Sequence, residues 1–292
     1  MRESCYIMTK TINPINPPKT KKELFSRTID ILHHGIYQMP DKYRGTGAPG
    51  TFLEDLLGLT TGNKDIPDSL GWEIKYYTKK TNLITLFHKE PRPVDAVRYM
   101  VSKWGWKDAQ GRMSFRHTIA GKSATFKIDL DGDQLWIHRI GGNGVAPHWT
   151  QDDILNAAGS KLRRVMLVLG EKVGQAVTYT RADCFEDLEV LAFISEVHSG
   201  VVKIDFDARE KTPGSKTLRN HGTKFRVSPG DMCRLYTKKF AKHEAIHLLI
   251  SKFDELARRR YVASSDDIYR ANEELVIKLE KLIPDTDNNG GE

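Results

Sequence analysis

The residue types and spacing in this chain most suited to chemistry are Pro67-Asp68 followed, after four intervening residues, by Glu73-Ile74-Lys75. Asp68 stands in a turn that feeds a strand, and Glu73 lies on the strand itself. Two carboxylates placed in this way can surround one hard cation, with the backbone carbonyl of Ile74 available between them. Mg²⁺ held there polarises a phosphodiester oxygen and acidifies a bound water, while Lys75 positions that water or neutralises charge building on phosphorus. The chemistry such a set performs is phosphodiester hydrolysis. Glu54 extends it if the helix that carries Glu54 packs beside the strand. Each group also has a plainer use. Thr51-Phe52-Leu53-Glu54 is a helix-start pattern in which the glutamate satisfies its own backbone, Glu73 and Lys75 suit the exposed face of a hairpin, and a Pro-Asp pair is a common turn.

These side chains need elements to hold them. On a strand over 71–77, alternation places Trp72, Ile74 and Tyr76 on one face and Glu73 and Lys75 on the other. The apolar face packs on a helix, and a second strand over 83–87 completes a hairpin. A Gly-rich turn, Gly45-Thr46-Gly47-Ala48-Pro49-Gly50, leads into a helix beginning at Thr51. An earlier helix starts from the capping box Thr20-Lys21-Lys22-Glu23 and runs to about His34, with Leu24, Phe25, Ile29 and Leu32 at helical spacing. Further strands are expected over 125–129, 135–139, 165–169 and 201–206, and helices over 151–163, 184–198, 242–260 and 265–282. Strands alternating with helices imply a mixed α/β fold. The organisation expected is an extended arm over 1–17, one two-lobed unit over 18–284 and a disordered tail over 285–292.

The net charge of +7 is concentrated. Between Lys203 and Lys242 lie eleven basic residues and four acidic ones, an excess equal to that of the whole chain, so everything outside sums to zero. Glycine, proline, Asn220, His221 and Thr223 stand among these charges, as in a loop-rich surface that faces a polyanion. A solvated basic face is the alternative.

The run from Gly45 to Gly58, with Pro67-Asp68, Trp72-Glu73-Ile74-Lys75 and Leu83-Ile84-Thr85-Leu86-Phe87, resembles the MvaI/BcnI family of restriction endonucleases, relatives of the mismatch-repair nicking enzyme MutH within the PD-(D/E)xK nucleases. The resemblance returns at Ile204-Asp205-Phe206-Asp207-Ala208-Arg209 and at Leu218-Arg219-Asn220-His221-Gly222-Thr223-Lys224-Phe225-Arg226. It implies a PD-(D/E)xK core with a mixed sheet flanked by helices, in two lobes around a DNA cleft, with the catalytic motifs over about 45–92 and the recognition segment over about 200–242. Asp68 and Glu73 would bind Mg²⁺ with the Ile74 carbonyl, Lys75 would be the catalytic lysine and Glu54 the auxiliary acid. The activity implied is type II cleavage of double-stranded DNA at a short GC-rich site of the CCNGG type. The partners implied are the DNA itself and, as biological counterpart, a cognate DNA methyltransferase, with the enzyme a monomer or homodimer. A MutH-like nicking enzyme and a DNA-binding module with a defunct nuclease site are the rival readings.

An arginine fork engages the two acceptors of guanine together in the major groove, which makes Arg209, Arg219 and Arg226 candidates for reading bases. Phosphate contact is the ordinary use of such residues. Asn220, His221, Thr223 and Lys224 complete the DNA-binding set. By resemblance His221 is the base reader, and His88, directly after a strand, lies near enough to the catalytic motifs to touch a base beside the cut, with an incidental strand-end histidine as the alternative.

Other chemistries lack their residues. Gly45 to Thr51 has no lysine after Gly50, as a nucleotide phosphate loop requires. Asp129-Leu130-Asp131-Gly132-Asp133 has its glycine misplaced for calcium and reads as a hairpin turn. Cys5, Cys184 and Cys233 suit neither a disulfide framework nor a paired-cysteine metal site. With no long apolar run and no apolar leader, the expected location is the cytoplasm, away from membranes.

Overall fold

A computed structural model describes residues 16–59, 68, 71–142 and 144–236. The expected arm up to residue 15, the two terminal helices and the tail lie outside the described residues. The chain begins with α1 (Lys21–His34), β1 (Ile36–Gln38), α2 (Ala48–Leu57) and β2 (Trp72–Tyr77). Next come β3 (Ile84–His88), α3 (Ala96–Trp104), β4 (Trp106–Lys107), β5 (Met113–Ile119), β6 (Phe126–Asp131), β7 (Gln134–Arg139), β8 (His148–Thr150) and α4 (Gln151–Leu162). It continues through β9 (Arg164–Val173), β10 (Ala176–Glu186), α5 (Val190–Ser199), β11 (Lys203–Glu210), β12 (Leu218–Asn220), β13 (Lys224–Val227) and a 3₁₀ turn, Pro229–Leu235. The fold is mixed α/β. Among the described residues no helix is long and apolar enough to cross a membrane.

The described residues gather into two compact units. One holds those up to Lys80 with Arg164–Asp187, and the other holds Thr81–Arg163 with those from Leu188 onward. The first unit is built on a sheet ordered β1-β10-β9-β2 in which only the β2–β9 pairing is parallel. Trp72 and Ile74 leave one face of β2 for a core shared with Leu24 and Phe25 of α1, Phe52, Leu53, Leu56 and Leu57 of α2, and Met166 and Val168 of β9. The Phe25 and Trp72 rings meet edge to face at 5.3 Å. This apolar face is the one the alternation predicts.

Local signals explain the helices of this unit. Thr20 caps α1 by accepting the Glu23 N–H (3.2 Å), and Glu23 accepts the Lys19 N–H in return (2.6 Å). α2 starts at Ala48, three residues before the expected Thr51, because Pro49 fits the first helical turn, where a missing N–H costs nothing. It ends at Gly58 in the left-handed conformation (φ 77°), whose N–H closes onto the carbonyls of Asp55 and Glu54. Glu54 therefore lies well inside the helix and does not cap it.

The second unit has a six-stranded sheet, β3-β13-β11-β5-β4 with β12 also on β11, and a three-stranded one, β6-β7-β8. Phe87 of β3 and Phe225 of β13 are register partners, with their rings stacked at 4.8 Å. The expected turn at 129–133 does join the antiparallel pair β6 and β7.

Two expectations are corrected. The strands over 71–77 and 83–87 do not form a hairpin: β2 lies parallel to β9, and β3 pairs with β13. The helix expected over 184–198 begins only at Val190, because Cys184, Phe185 and Glu186 continue β10 opposite Met166, Val165 and Arg164. Asp187, at φ 55°, then turns the chain out of the strand.

One buried ion pair fastens α1 to the end of β10. Lys21 Nζ lies 2.8 Å from Glu186 Oε1, both side chains under a tenth exposed, with Nζ 6.0 Å from the centre of the Trp72 ring. Lys21→Met removes the ammonium group from beside a buried carboxylate and should cost about 3–5 kcal/mol. The companion Lys21→Met/Glu186→Leu protein should recover most of that loss. Urea midpoints of the three proteins check this.

Candidate active site

Glu73 and Lys75 project from the same face of β2, and they form an ion pair in which the Glu73 side chain is almost wholly buried and that of Lys75 largely so. Removing a carboxylate from water is tolerated where a cation stands beside it. Asp68 stands ahead of the strand and accepts the Ile74 N–H through Oδ2 at 2.7 Å, which brings its carboxylate to the backbone between Glu73 and Lys75. β2 is the outermost strand of its sheet, so this amide has no strand partner on that side among the described residues.

α2 supplies the fourth group. Its buried residues Phe52, Leu53, Leu56 and Leu57 bind it to the core at helical spacing, and the Tyr179 hydroxyl donates to the Pro49 carbonyl at 2.7 Å to anchor its first turn. Asp55 is occupied by Tyr43 and by Lys42 (3.2 Å). Glu54 has a carboxyl pushed up to about 7, first by burial and then by the negative charge of Asp68; Lys75 opposes the rise, and Glu73 and Asp55 add to it. The structure thus brings Glu54, Asp68, Glu73 and Lys75 into one electrostatic neighbourhood. Among the described residues, no three acidic, histidine or cysteine side chains are gathered as a preformed metal cluster. In this arrangement Asp68 is engaged by an amide and Glu73 by Lys75. The donor set is nonetheless one of hard oxygens, which suits a hard cation, and Glu54 is raised first by burial and only then by its acidic neighbours.

The remaining site residues expected from sequence all lie on the six-stranded sheet or its turns, in the second unit. The stretch expected to be loop-rich contains β12 and β13. Arg209 of β11 and Arg219 of β12 are direct register partners. Like charges placed opposite each other destabilise a strand pair, so these two favour an anion between or above them. The Arg209 guanidinium is lowered from its usual range, first by desolvation and then by Arg112, Arg116 and Arg219. Arg112 is neutralised by Asp108 (2.8 Å) and Arg116 by Asp207 (3.1 Å). Arg112 and Arg116 come from the β5 region and lay outside the charge window; their signal was the register of β5 against β11, which sequence does not show.

Arg226 of β13 pairs with Asp205 (3.0 Å) and also donates to the Leu83 carbonyl (3.0 Å). Exposed His88 ends β3 opposite Lys224. His221 is exposed, and its backbone N–H donates to the Asp207 carbonyl at 3.0 Å. Thr223 is buried, and both it and Asn220 donate to Glu90, a residue that sequence reasoning missed.

The MvaI/BcnI restriction endonuclease family matches the chain over residues 27–236. Among solved structures, the complex of restriction endonuclease MvaI with cognate DNA superposes with a TM-score of 0.62 at 24% identity, covering 75% of this chain and 97% of that one. MvaI in the absence of DNA gives a TM-score of 0.48 at 23% identity, covering 76% and 97%. No curated protein sequence matches significantly. The resemblance seen in the motifs therefore extends to the fold.

The Glu54 carboxyl carries a stability consequence. Its folded pKa, about 7, lies above the ordinary 4.5, so between those values the folded chain holds a proton that the unfolded chain has released. Stability falls as pH rises through that window, and the full penalty applies above it. Glu54→Gln mimics the protonated form. In EDTA it should be more stable than the parent at pH 8 by on the order of 1–2 kcal/mol, after allowance for partial exposure, with the advantage gone at pH 4. Denaturant unfolding at the two pH values checks the sign.

Proposed function

The chain belongs to the MvaI/BcnI restriction endonuclease family, as a type II site-specific deoxyribonuclease, and on that premise we propose that it cuts double-stranded DNA with Mg²⁺ at a short GC-rich site of the CCNGG type. The electrostatic coupling of Glu54 to Asp68, Lys75 and Glu73, together with the Glu73–Lys75 ion pair and the Asp68–Ile74 hydrogen bond, is the observation that supports the reading. Asp68, Glu73 and the Ile74 carbonyl would hold the cation, which when bound supplies Lewis acidity to a phosphoryl oxygen and a more acidic water.

The chain's own groups do the rest. Lys75, beside Glu73 on the strand face, donates hydrogen bonds to the attacking water or to the phosphate as its charge grows. Glu54, with a carboxyl poised near neutrality, is matched to accept a proton from that water. The Asp68 contact to the Ile74 amide holds the acid against the strand, where it would share the cation with the Ile74 carbonyl. Burial of Glu73 lowers the local dielectric and strengthens each of these interactions.

The second unit reads the site. Arg209 and Arg219 are assigned to guanine edges, each good bidentate pair contributing about 1–3 kcal/mol of discrimination. His221 is assigned to a base edge, Lys224 to phosphate, and His88 to a base beside the cut. Arg226, held by Asp205 and Leu83, is assigned to keeping β13 in register. MvaI was solved in complex with a cognate DNA substrate, which supports DNA as the partner here. Cleavage by a monomer acting twice or by a homodimer, and a methyltransferase protecting the same site, belong to the same proposal.

Two outcomes are expected. Incubated with plasmid and Mg²⁺, the protein should give linear products in discrete bands, with none in EDTA, whereas circles that stay nicked would speak for the nicking enzyme. Asp68→Ala and Lys75→Ala should each reduce cleavage on the order of 10²-fold or more while retaining DNA binding; unchanged cleavage would remove the site assignment, and no cleavage by the parent would favour the defunct module. Separately, Arg219→Ala should relax site choice by roughly 10-fold to 100-fold, while Lys211→Ala weakens cognate and non-cognate DNA alike and flattens the salt dependence. Band patterns and titrations at two salt concentrations distinguish them.

A further inference from the structure

Glu90 places a negative charge beside the most basic stretch of the chain, where it opposes the approach of phosphate. Its carboxylate is fully engaged from one side. Thr223 donates its backbone N–H to Oε1 (3.0 Å) and its hydroxyl to Oε2 (2.9 Å), and the Asn220 side-chain amide donates to Oε1 (3.2 Å). Asn220 in turn accepts the Gly222 N–H on its own oxygen (3.0 Å). The turn between β12 and β13 is therefore tied at both ends to one carboxylate, with His221 exposed between the ties.

The base of this clamp is rigid. Lys89 donates its N–H to the Thr223 carbonyl (3.0 Å), and the buried Trp149 ring donates through Nε1 to the Lys89 carbonyl (3.1 Å). On the far side the His221 N–H is fixed to Asp207 of β11 (3.0 Å). Gly222, at φ +81°, takes a conformation that side chains strain, and a Cβ there would stand 2.8 Å from His88 Cδ2, which would have to shift. Hydrogen bonds thus hold the turn over residues 220–223 at several points, and His221 is exposed on it.

We propose that Glu90 is a positioning residue for specificity. Its carboxylate sets the Asn220–Thr223 turn so that His221 meets a base edge in a single orientation, and it does not itself contact DNA. Asn220 then fastens the turn to Glu90. The inference rests on the assignment of His221 as a base reader. It adds that discrimination depends on a charge-assisted clamp whose donors lie far from its acceptor in sequence.

The test uses the full-length enzyme and two short synthetic duplexes, one carrying the site recovered from plasmid digests and one with a single base pair exchanged. The quantity read is the ratio of single-turnover cleavage rates on the two. Glu90→Ala should lower this ratio on the order of tenfold, Thr223→Val less, and Glu90→Gln least, since Gln retains one carbonyl acceptor. In a His221→Ala background, Glu90→Ala should have no further effect. An unchanged ratio in Glu90→Ala overturns the proposal, and so does an equal drop with or without His221, which would make Glu90 a direct acceptor from a cytosine amino group. If His221→Ala alone leaves the ratio unchanged, the base-reader assignment fails first and the clamp falls with it. Should Glu90→Ala not fold, Thr223→Val and Glu90→Gln in the two backgrounds carry the same comparison.

Discussion

A carboxylate that is 3% exposed on β2 is the constraint around which the first unit is arranged. Glu73 can be buried there because Lys75 stands two residues on, and in a strand two residues on means the same face. The alternate positions, Trp72 and Ile74, face the opposite way and bury apolar surface against α1 and α2. One strand therefore does two incompatible jobs at once, an oily face joining the core and an ionic face holding charge in a place of low dielectric. The core fixes the strand firmly enough for the charges to remain close. Asp68 and Glu54 lie close enough for their charges to be felt there.

The second unit has the reverse arrangement. Arg209 and Arg219 face one another across β11 and β12, and Arg112 and Arg116 lie near enough to be felt. Among the described residues, acids answer some of these cations and not others. Asp108 and Asp207 hold Arg112 and Arg116, and Asp205 holds Arg226. The pattern sorts the cations of one surface by task, since a guanidinium tied to an acid on its own sheet braces the strand it comes from, and an untied one offers its whole fork outward.

What could be read without coordinates is what is local in the chain. The Glu73-Ile74-Lys75 triplet, the Thr20 cap and the β6–β7 turn each depend on neighbours a few residues away, and all three appear as expected. Pairing partners depend on distant residues and were not legible. The strand at 84–88 comes so soon after β2 that a hairpin is the economical guess, but β13 and β9 offer each strand a better-matched apolar neighbour. The helical pattern at 184–186 yielded to ten-residue β9, which has matching apolar residues to lay against. Glu90 was invisible because its three donors lie some 130 residues downstream, and Arg112 and Arg116 because composition windows run along the chain and sheets run across it.

The parallel register of β2 on β9 has a consequence for how the cell makes this protein. Residues 81–163 are synthesised between the two strands, so a nascent chain that already bears both acids and the lysine has nowhere to lay the strand that aligns them. The enclosing sheet closes only after the whole of β9, from Arg164 to Val173, has left the ribosome. The acids and the lysine carried by β2 thus precede, in order of synthesis, the strand against which they are aligned.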